Sequence, residues 1–478
     1  MNRSIRRLYL AVLIGFGLLA GFLGWWQVVA AGELESKRDN PYVAERERRV
    51  DRGRIISADG QVLASSQASV VRGQTVYRRV YPLGGLAPHV VGYASPQLGR
   101  TGVEAEFNRY LAGSYGAQPL LQRLNLSEKQ GANVQLTLDT RIQRVAVDAL
   151  AGRAGAVVAL NPRTGAVLAM ASAPTFDLND VATRFNEIRR EPGAPLLSRP
   201  TQSRQPPGST FKVVTVTSAL ESGGYTPQSR FVDTGRFVVN GQAITNFGGA
   251  VYGAHTLETA LTKSINTTFA RIGQDLGPDR LGGTMTAFGF GAAPDMRDLP
   301  SSMLVPSGRF DRGRLLPNDE QGMDTPRVAI GQERLAATPL QMAMVASAIA
   351  DGGVLQRPYL VSRIRDRSGD IVRQGRPETI RRVTTPDVAA AVSAMMRNVV
   401  REGTGTAAAL AGLAVAGKTG TAESGAAGRN QAWFIGFAPA ENPVVAVAVL
   451  VEDTSGTGGA VAAPIAGQVM RAAVQVAR

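Results

Sequence analysis

The 478-residue sequence contains no cysteine and only two histidines, and these absences narrow the chemistry that the protein can perform. Without cysteine there is no disulfide framework, thiol nucleophile or zinc finger. His89 and His255 stand far apart with no accompanying cluster of ligand residues, so we interpret both as structural. The sequence therefore predicts neither a cofactor nor a metal site, and a histidine-based catalytic triad finds little support.

Lysine is scarce as well, because only five of the 52 basic residues are lysine and the rest are arginine. Guanidinium groups stay charged, whereas a lysine amine gives up its proton when it is buried or lies beside another cation. The lysines are therefore candidates for proton transfer: Lys37, Lys129, Lys212, Lys263 and Lys418. We interpret Lys37 and Lys129 as ordinary surface residues.

The formal net charge of +14 is typical of nucleic-acid-binding proteins, but its distribution argues against such a partner. The basic residues are spread along the chain and mixed with acids, as in ERERRVDRGR at 45–54. Mixed charge runs are usually solvated surfaces. With 44% hydrophobic and 19% charged residues, the chain is globular and long enough for two or three domains.

An uncharged stretch, residues 8–31, follows three arginines near the N-terminus. As a helix it would reach ~36 Å, enough to cross a bilayer core of ~30 Å. The arginines predict that residues 1–7 are a cytoplasmic tail and that the rest of the chain lies outside. Trp25 and Trp26 would lie at the outer interface. A cleaved secretory signal, with Val28-Val29-Ala30 as the cleavage site, is the alternative.

Two regions follow the predicted span. Residues 32–133 form short, polar, glycine-punctuated segments, which we interpret as a mixed α/β pedestal with a hairpin at Asp59-Gly60. From residue 134 to 478 the pattern is more regular: a strand, an amphipathic helix and a strong hairpin signal at 155–172.

The C-terminal part supplies further elements of this second region. Strands are predicted at 432–438 and 443–451, and helices at 339–350 and 463–476. Strands at both ends with helices between them indicate one sheet assembled from the two ends and packed against a helical subdomain. The predicted fold class is therefore a multidomain α+β or α/β protein.

The stretch QPPGSTFKVVTVTSAL, residues 205–220, places chain breakers before a serine and an apolar run, which is typical of a helix start. Ser209 and Lys212 would then lie three residues apart on one helical face, with the hydroxyl at the positive end of the helix dipole. That arrangement suits a serine nucleophile activated by lysine. The β-branched run 213–217 fits a buried strand equally well.

Two more short patterns follow in order: Ser264-Ile265-Asn266, and Lys418-Thr419-Gly420-Thr421. Ser-x-x-Lys, Ser-x-Asn and Lys-Thr-Gly each occur once in the chain. Each pattern alone is weak evidence, but the ordered set matches the penicillin-recognising serine enzymes.

Within that group the sequence resembles a class B penicillin-binding protein, a monofunctional transpeptidase of cell-wall synthesis, of a type with a short pedestal. The likeness to the pedestal is carried by RGRIISADGQVLA, YPLGGLAPHVVGY and TGVEAEFNRYLAG. The likeness to the transpeptidase domain is carried by VVALNPRTGAVLAMASAPTFDLN, PPGSTFK, TPLQMAMVASAIADGG and AWFIGFAP. One departure is Glu333, where many relatives carry glycine. The implied fold is a membrane helix, a pedestal, and an antiparallel sheet flanked by helices plus a helical subdomain.

The resemblance also implies roles for the matching residues. Ser209 would attack a peptide carbonyl, neutral Lys212 would take its proton, and Ser264 would relay the proton to the departing amine. Asn266 would hold the substrate amide and the lysine side chain. Lys263 matches no requirement of the family.

The third motif is expected to bind substrate through Lys418, Thr419, Gly420 and Thr421. Lys418 would be the cation that keeps Lys212 neutral, and with the two threonine hydroxyls it would bind the terminal carboxylate of a stem peptide or β-lactam. The backbone N–H groups of Ser209 and Thr421 would form the oxyanion hole.

These roles imply a D,D-transpeptidase of the bacterial cytoplasmic membrane that cross-links peptidoglycan stem peptides on lipid-linked precursor strands and is acylated by β-lactams. The implied partner is a separate polytopic membrane glycosyltransferase. A D,D-carboxypeptidase or β-lactamase, in which water replaces the amine, is a second interpretation, although no Glu-x-x-Leu-Asn pattern lies between Asn266 and Lys418. A non-enzymatic scaffold or β-lactam sensor is a third.

Overall fold

The computed structural model describes residues 3–25, 48–115, 130–423 and 428–478. The helices are α1 Arg3–Gly24, α2 Pro88–Val91, α3 Gly102–Glu106, α4 Asn108–Leu111, α5 Thr140–Leu150, α6 Val181–Arg190, α7 Arg199–Gln202, α8 Lys212–Glu221, α9 Leu257–Lys263, α10 Asn266–Ala287, α11 Thr325–Val328, α12 Pro339–Ala350, α13 Pro386–Glu402 and α14 Ala463–Ala477. A short 3-10 turn, Gly208–Phe211, directly precedes α8.

The strands run through the same described ranges. They are β1 Ile55–Ile56, β2 Val62–Val71, β3 Gln74–Val80, β4 Ala94–Ser95, β5 Gly99–Arg100, β6 Asn133–Leu136, β7 Gly155–Leu160, β8 Val167–Ala173, β9 Arg230–Asp233, β10 Arg236–Val239, β11 Gln242–Thr245, β12 Gly253–Thr256, β13 Gly308–Asp311, β14 Arg314–Leu315, β15 Leu335–Ala336, β16 Val354–Gln356, β17 Val361–Arg365, β18 Ile371–Gln374, β19 Thr379–Arg382, β20 Ala416–Glu423, β21 Asn430–Ala438 and β22 Val445–Thr454.

The central antiparallel sheet has the strand order β20-β21-β22-β7-β8, so it joins the early hairpin to the C-terminal strands, as predicted. Its strands are almost continuously apolar because both faces are covered. Alternate residues belong to different cores: Val158 and Leu450 lie in the core with α12, and Val157 and Val449 lie in the core with α5 and α14. The sheet is thus a rigid base with β20 at one edge.

Helix α8 crosses the helical subdomain and packs against α10 and α13. The β-branched run 213–217 is helical, which rules out the strand interpretation. Burial on several sides overrides the low helix propensity of valine and threonine, and the hydroxyls find partners: Thr215 donates to the Ala329 carbonyl and Thr217 to the Val213 carbonyl. The predicted helices at 339–350 and 463–476 correspond to α12 and α14.

A second sheet has the order β18-β17-β6-β1-β2-β3, and the turn at Asp59-Gly60 joins β1 to β2 as predicted. Strand β6 pairs parallel with β1 and antiparallel with β17. This sheet therefore combines strands from both sides of the predicted boundary between residues 133 and 134.

Helix α1 is 22 residues long, exposed along its length, and long and apolar enough to be a candidate membrane span. The remaining part of the predicted span, residues 26–31 with Trp26 and Val28-Val29-Ala30, lies outside the described residues, as do Lys37 and Lys129. The stretch Gly458–Ala477 is similarly long and apolar, but its α14 part packs on the central sheet.

Candidate active site

Ser209 lies in the 3-10 turn rather than in the first turn of the α-helix, which begins at Lys212. The expected helix start is therefore wrong by one turn. The turn packs on the edge strand β20: a Cβ on Gly208, whose φ is +52°, would lie 2.9 Å from the Thr421 carbonyl oxygen. Trp433 Nε1 donates to the Pro206 carbonyl at 2.9 Å and holds the turn on the sheet. Tertiary contacts thus tighten the turn that presents Ser209.

The Lys212 amine lies where three motifs meet. It is fully buried and donates to the Ser264 carbonyl at 2.8 Å and to Asn266 Oδ1 at 2.7 Å, and Ser264 Oγ lies 3.2 Å from it. Burial, with a smaller contribution from the charge of Lys418, holds the pKa of Lys212 well below its ordinary value. A neutral amine at this position is equipped to accept a proton.

Ser264 bridges the two buried amines. Lys418 Nζ donates to its Oγ at 2.9 Å, opposite the contact from Lys212. Ser264 ends α9 with a φ of +61°, a strained conformation that non-glycine residues rarely adopt. Residues strained in this way occur most often at functional sites. The strained turn between α9 and α10 places the hydroxyl between the two lysines.

Lys418 is fully buried on β20, and its amine also donates to the Thr419 carbonyl at 3.0 Å. Burial lowers the pKa of Lys418 to about 7. A Cβ on Gly420 would lie 2.6 Å from the Pro207 carbonyl oxygen, so glycine allows β20 to approach the serine turn closely.

These motifs surround a cavity of ≈ 220 Å³. Of the predicted site residues, it is lined by Ser209, Ser264, Asn266, Thr419 and Thr421. The Ser209 hydroxyl forms no hydrogen bond to any residue that the structure describes, Lys212 included. The nucleophile is thus free to meet a substrate.

The threonines of β20 are already engaged within the site. Thr419 Oγ1 lies 2.6 Å from Thr404 Oγ1, and Thr421 Oγ1 accepts from the Gly458 N–H at 3.1 Å. Both side chains still line the cavity.

A supporting network escaped the sequence analysis. Asn246 Oδ1 accepts from the Asn266 N–H at 2.9 Å, and Asn246 Nδ2 donates to Asp233 at 2.8 Å. Asp233 also accepts from Thr267 Oγ1 at 2.7 Å. Burial opposes ionisation of the Asp233 carboxyl. The hydrogen bonds that it accepts from Thr267 and Asn246, together with two from backbone N–H groups, nevertheless hold its pKa below the ordinary value. The network fixes the first turn of α10, which carries Asn266, and no motif spacing points to it.

Other cavity residues were also not predicted. Phe247 and Tyr252 line the cavity, and Lys263 lies at its rim, where its amine donates to the Glu402 carbonyl at 3.1 Å. Glu333 has a φ of +57°, in the left-handed region that favours glycine.

The two histidines make structural contacts. Nε2 of the buried His89 lies 2.6 Å from the Pro195 carbonyl oxygen, and His255 stacks on Phe231. In the described part of the chain, no group of three or more histidine, cysteine or acidic residues is arranged to hold a metal ion.

The site combines a serine with a free hydroxyl, a fully buried lysine whose pKa is lowered by burial, and a second serine between two amines. It is built on an antiparallel sheet with a helical subdomain. These features define an active-site serine acyltransferase. Residues 155–471 match the family described as penicillin binding protein transpeptidase domain, and residues 52–134 match the penicillin binding protein A dimerisation domain. The chain belongs to the class B penicillin-binding proteins.

Similarity to known proteins extends over nearly the whole length. Peptidoglycan D,D-transpeptidase PbpA of Mycolicibacterium smegmatis is 37% identical over 504 residues, covering 99% of each chain. The ceftriaxone acyl-enzyme complex of penicillin-binding protein A from Mycobacterium tuberculosis has a TM-score of 0.81 at 33% identity, covering 90% of this chain and 100% of that one. The D,D-transpeptidase domain of peptidoglycan glycosyltransferase from Eggerthella lenta has a TM-score of 0.79 at 37% identity, covering 90% and 99%.

Proposed function

We propose that this protein is a peptidoglycan D,D-transpeptidase that acts through a Ser209 acyl-enzyme and is inhibited covalently by β-lactams. The observation that carries the proposal is the position of Lys212: a fully buried amine beside the cavity, in contact with Ser264 and Asn266 and with its pKa lowered by burial. Relatives over the full length are named peptidoglycan D,D-transpeptidases, and a similar structure is a ceftriaxone acyl-enzyme.

In the acylation step, the Ser209 hydroxyl adds to the carbonyl of the penultimate D-alanine of a donor stem peptide. Lys212 takes the hydroxyl proton, which requires a neutral amine. The tetrahedral intermediate then expels the terminal D-alanine, and Ser264 passes a proton to its amine. The contact of Ser264 Oγ with both lysine amines, at 3.2 and 2.9 Å, supports this relay.

Developing negative charge on the carbonyl oxygen would be stabilised by the backbone N–H groups of Ser209 and Thr421. The N–H of Ser209 forms no backbone hydrogen bond to a described residue, and Gly208 packs closely against Thr421; both observations support this assignment. One such donor is typically worth ~10²–10³ in rate. Thr419, Thr421 and Lys418 would bind the terminal carboxylate, and charge from that carboxylate would favour protonated Lys418.

In the second step, an amine of another stem peptide attacks the acyl-enzyme and Lys212 serves again as proton acceptor. A hydrolase would use water instead. The test is the fate of the acyl-enzyme formed from a stem-peptide thioester when a D-amino acid acceptor is present. Aminolysis is the expected outcome, and hydrolysis as the only outcome would favour the carboxypeptidase interpretation.

The proposed membrane anchor is residues 8–31, which helix α1 covers as far as Gly24, with residues 1–7 in the cytoplasm and the catalytic site outside the cytoplasmic membrane. The exposed apolar surface of α1 and the arginines that precede the apolar stretch support this topology. The region between the membrane span and Val134 is too short for a glycosyltransferase domain, so we assign glycan polymerisation to a separate polytopic membrane partner.

A further inference from the structure

The loop between β11 and β12 places apolar side chains at the mouth of the cavity that contains Ser209. Phe247, Val251 and Tyr252 are 74%, 66% and 37% exposed, and Phe247 and Tyr252 line the cavity. We call these three residues the apolar lip. Single exposed apolar residues are common on protein surfaces, but a cluster of them beside a binding cavity is typical of a ligand contact.

The lip is anchored by the same two residues that support Asn266. Asn246 Nδ2 donates to the Ala250 carbonyl at 2.9 Å, and the Tyr252 N–H donates to Asp233 at 2.9 Å. These hydrogen bonds fix the backbone of the loop on both sides of Val251. A contact surface that is already ordered loses little conformational entropy on binding, so the anchored lip is suited to hold a ligand group.

The lip and β20 contribute different walls of the cavity. Asn266 Nδ2 donates to the Thr245 carbonyl at 2.9 Å, so the chain that enters the lip passes directly beside Asn266. Thr419 and Thr421 line the cavity from β20. In the proposed function these threonines bind the terminal carboxylate of the donor, and Ser209 attacks the carbonyl that precedes it. The lip is then available to the part of the donor on the other side of the scissile bond.

We propose that the apolar lip is a specificity site for the donor, at which Phe247 contacts the side chain of the residue that precedes the penultimate D-alanine. The inference rests on the proposed function and defines a further part of its substrate. The group that the lip recognises is an aliphatic or aromatic side chain, which packs on the Phe247 ring. In a penicillin the phenylacetyl group holds the corresponding position relative to the reacting carbonyl.

The test compares two donor thioesters on the full-length protein in detergent, with no acceptor amine present. Both are N-acetylated dipeptide thioesters that end in D-alanine, and the preceding residue is L-norleucine in one and glycine in the other. The value of kcat/KM for thiol release reports acylation. The wild type should prefer the norleucine compound about tenfold, since covering about 50–60 Å² of apolar surface is worth roughly that factor.

Phe247→Ala should reduce this preference to less than about twofold, and Phe247→Leu should retain most of it, because leucine keeps an apolar side chain. Val238→Ala is the matched control, since Val238 is 53% exposed on β10 and is not among the residues that line the cavity. It should leave both rates unchanged. Penicillins that carry a phenylacetyl or an acetyl group on the same nitrogen should show the same pattern.

An unchanged preference in Phe247→Ala would overturn the proposal, and it would do so equally if the lip contacts the acceptor, because no acceptor is present in the assay. A change confined to the two penicillins would overturn the lip as a site for the donor peptide. Failure of the wild type to react with either thioester would contradict the proposed function itself, so the two failures are distinguishable.

Discussion

Replacing Lys212 by arginine tests whether the amine must be neutral. Arginine can still donate to Ser264 and Asn266, but it stays positively charged and does not give up its proton in proteins. If Lys212 accepts the Ser209 proton, the variant loses general-base catalysis, which is worth ~10²–10⁴ in rate, or about 2.7–5.5 kcal/mol of transition-state stabilisation.

The assay is the rate of acylation by a fluorescent penicillin as a function of pH. In the wild type the rate should rise with pH as Lys212 loses its proton, and the rise should come well below the ordinary lysine pKa of 10.5. The acylation rate of Lys212→Arg should show no such rise with pH. Lys263→Arg, at an exposed lysine on the rim of the same cavity, is the matched control and should react at close to the wild-type rate.

Position 212 is fully buried, so arginine there can also destabilise the fold. Lys212→Met separates the loss of the base from the loss of stability. Methionine fits a buried site without charge, so this variant should fold at least as stably as the wild type and still fail to acylate. Acylation of Lys212→Arg at a substantial fraction of the wild-type rate would refute the assignment of Lys212 as the base.

Two further predictions concern stability. The pKa of Lys418 is about 7 in the folded protein against an ordinary 10.5, so the unfolded chain binds more protons between these two pH values. In chemical denaturation, the free energy of unfolding of the wild type should therefore rise by roughly 1.4 kcal/mol per pH unit above pH 7, relative to that of Lys418→Met. Lys263→Met should show the same pH dependence as the wild type. Glu104→Gln leaves two buried guanidinium groups without their carboxylate and should lower the free energy of unfolding by ~3–5 kcal/mol. Glu106→Gln, at an exposed position of the same helix, is the control and should have little effect on stability. Equal melting temperatures for the two variants would contradict this expectation.

Much of the transpeptidase fold could be predicted because its signals are local. The turn in the hairpin at 155–172, the continuous apolar strand at 432–438 and the buried helix at 339–350 each follow from composition and punctuation within a short window. The class of the active site could also be predicted from the sequence, since the three motifs occur once each and in order.

The geometry of the site could not be predicted, because contacts between distant segments decide it. The run after Lys212 is helical through burial and not through propensity, and the 3-10 turn at Ser209 depends on packing against β20. Likewise Asp233 and Asn246 support Asn266 through short hairpins whose pairing has no spacing signature. The left-handed conformation of Ser264 is also set by its neighbours.

The most direct test of the central claim is covalent labelling of Ser209→Ala by a fluorescent penicillin. The wild type should become labelled at one site, and a peptide containing Ser209 should carry the acyl group in mass spectrometry. The alanine variant should remain unlabelled while retaining the wild-type melting temperature, because the lost hydroxyl has no hydrogen-bond partner among the described residues. Persistent labelling of Ser209→Ala would contradict acyl transfer through this serine.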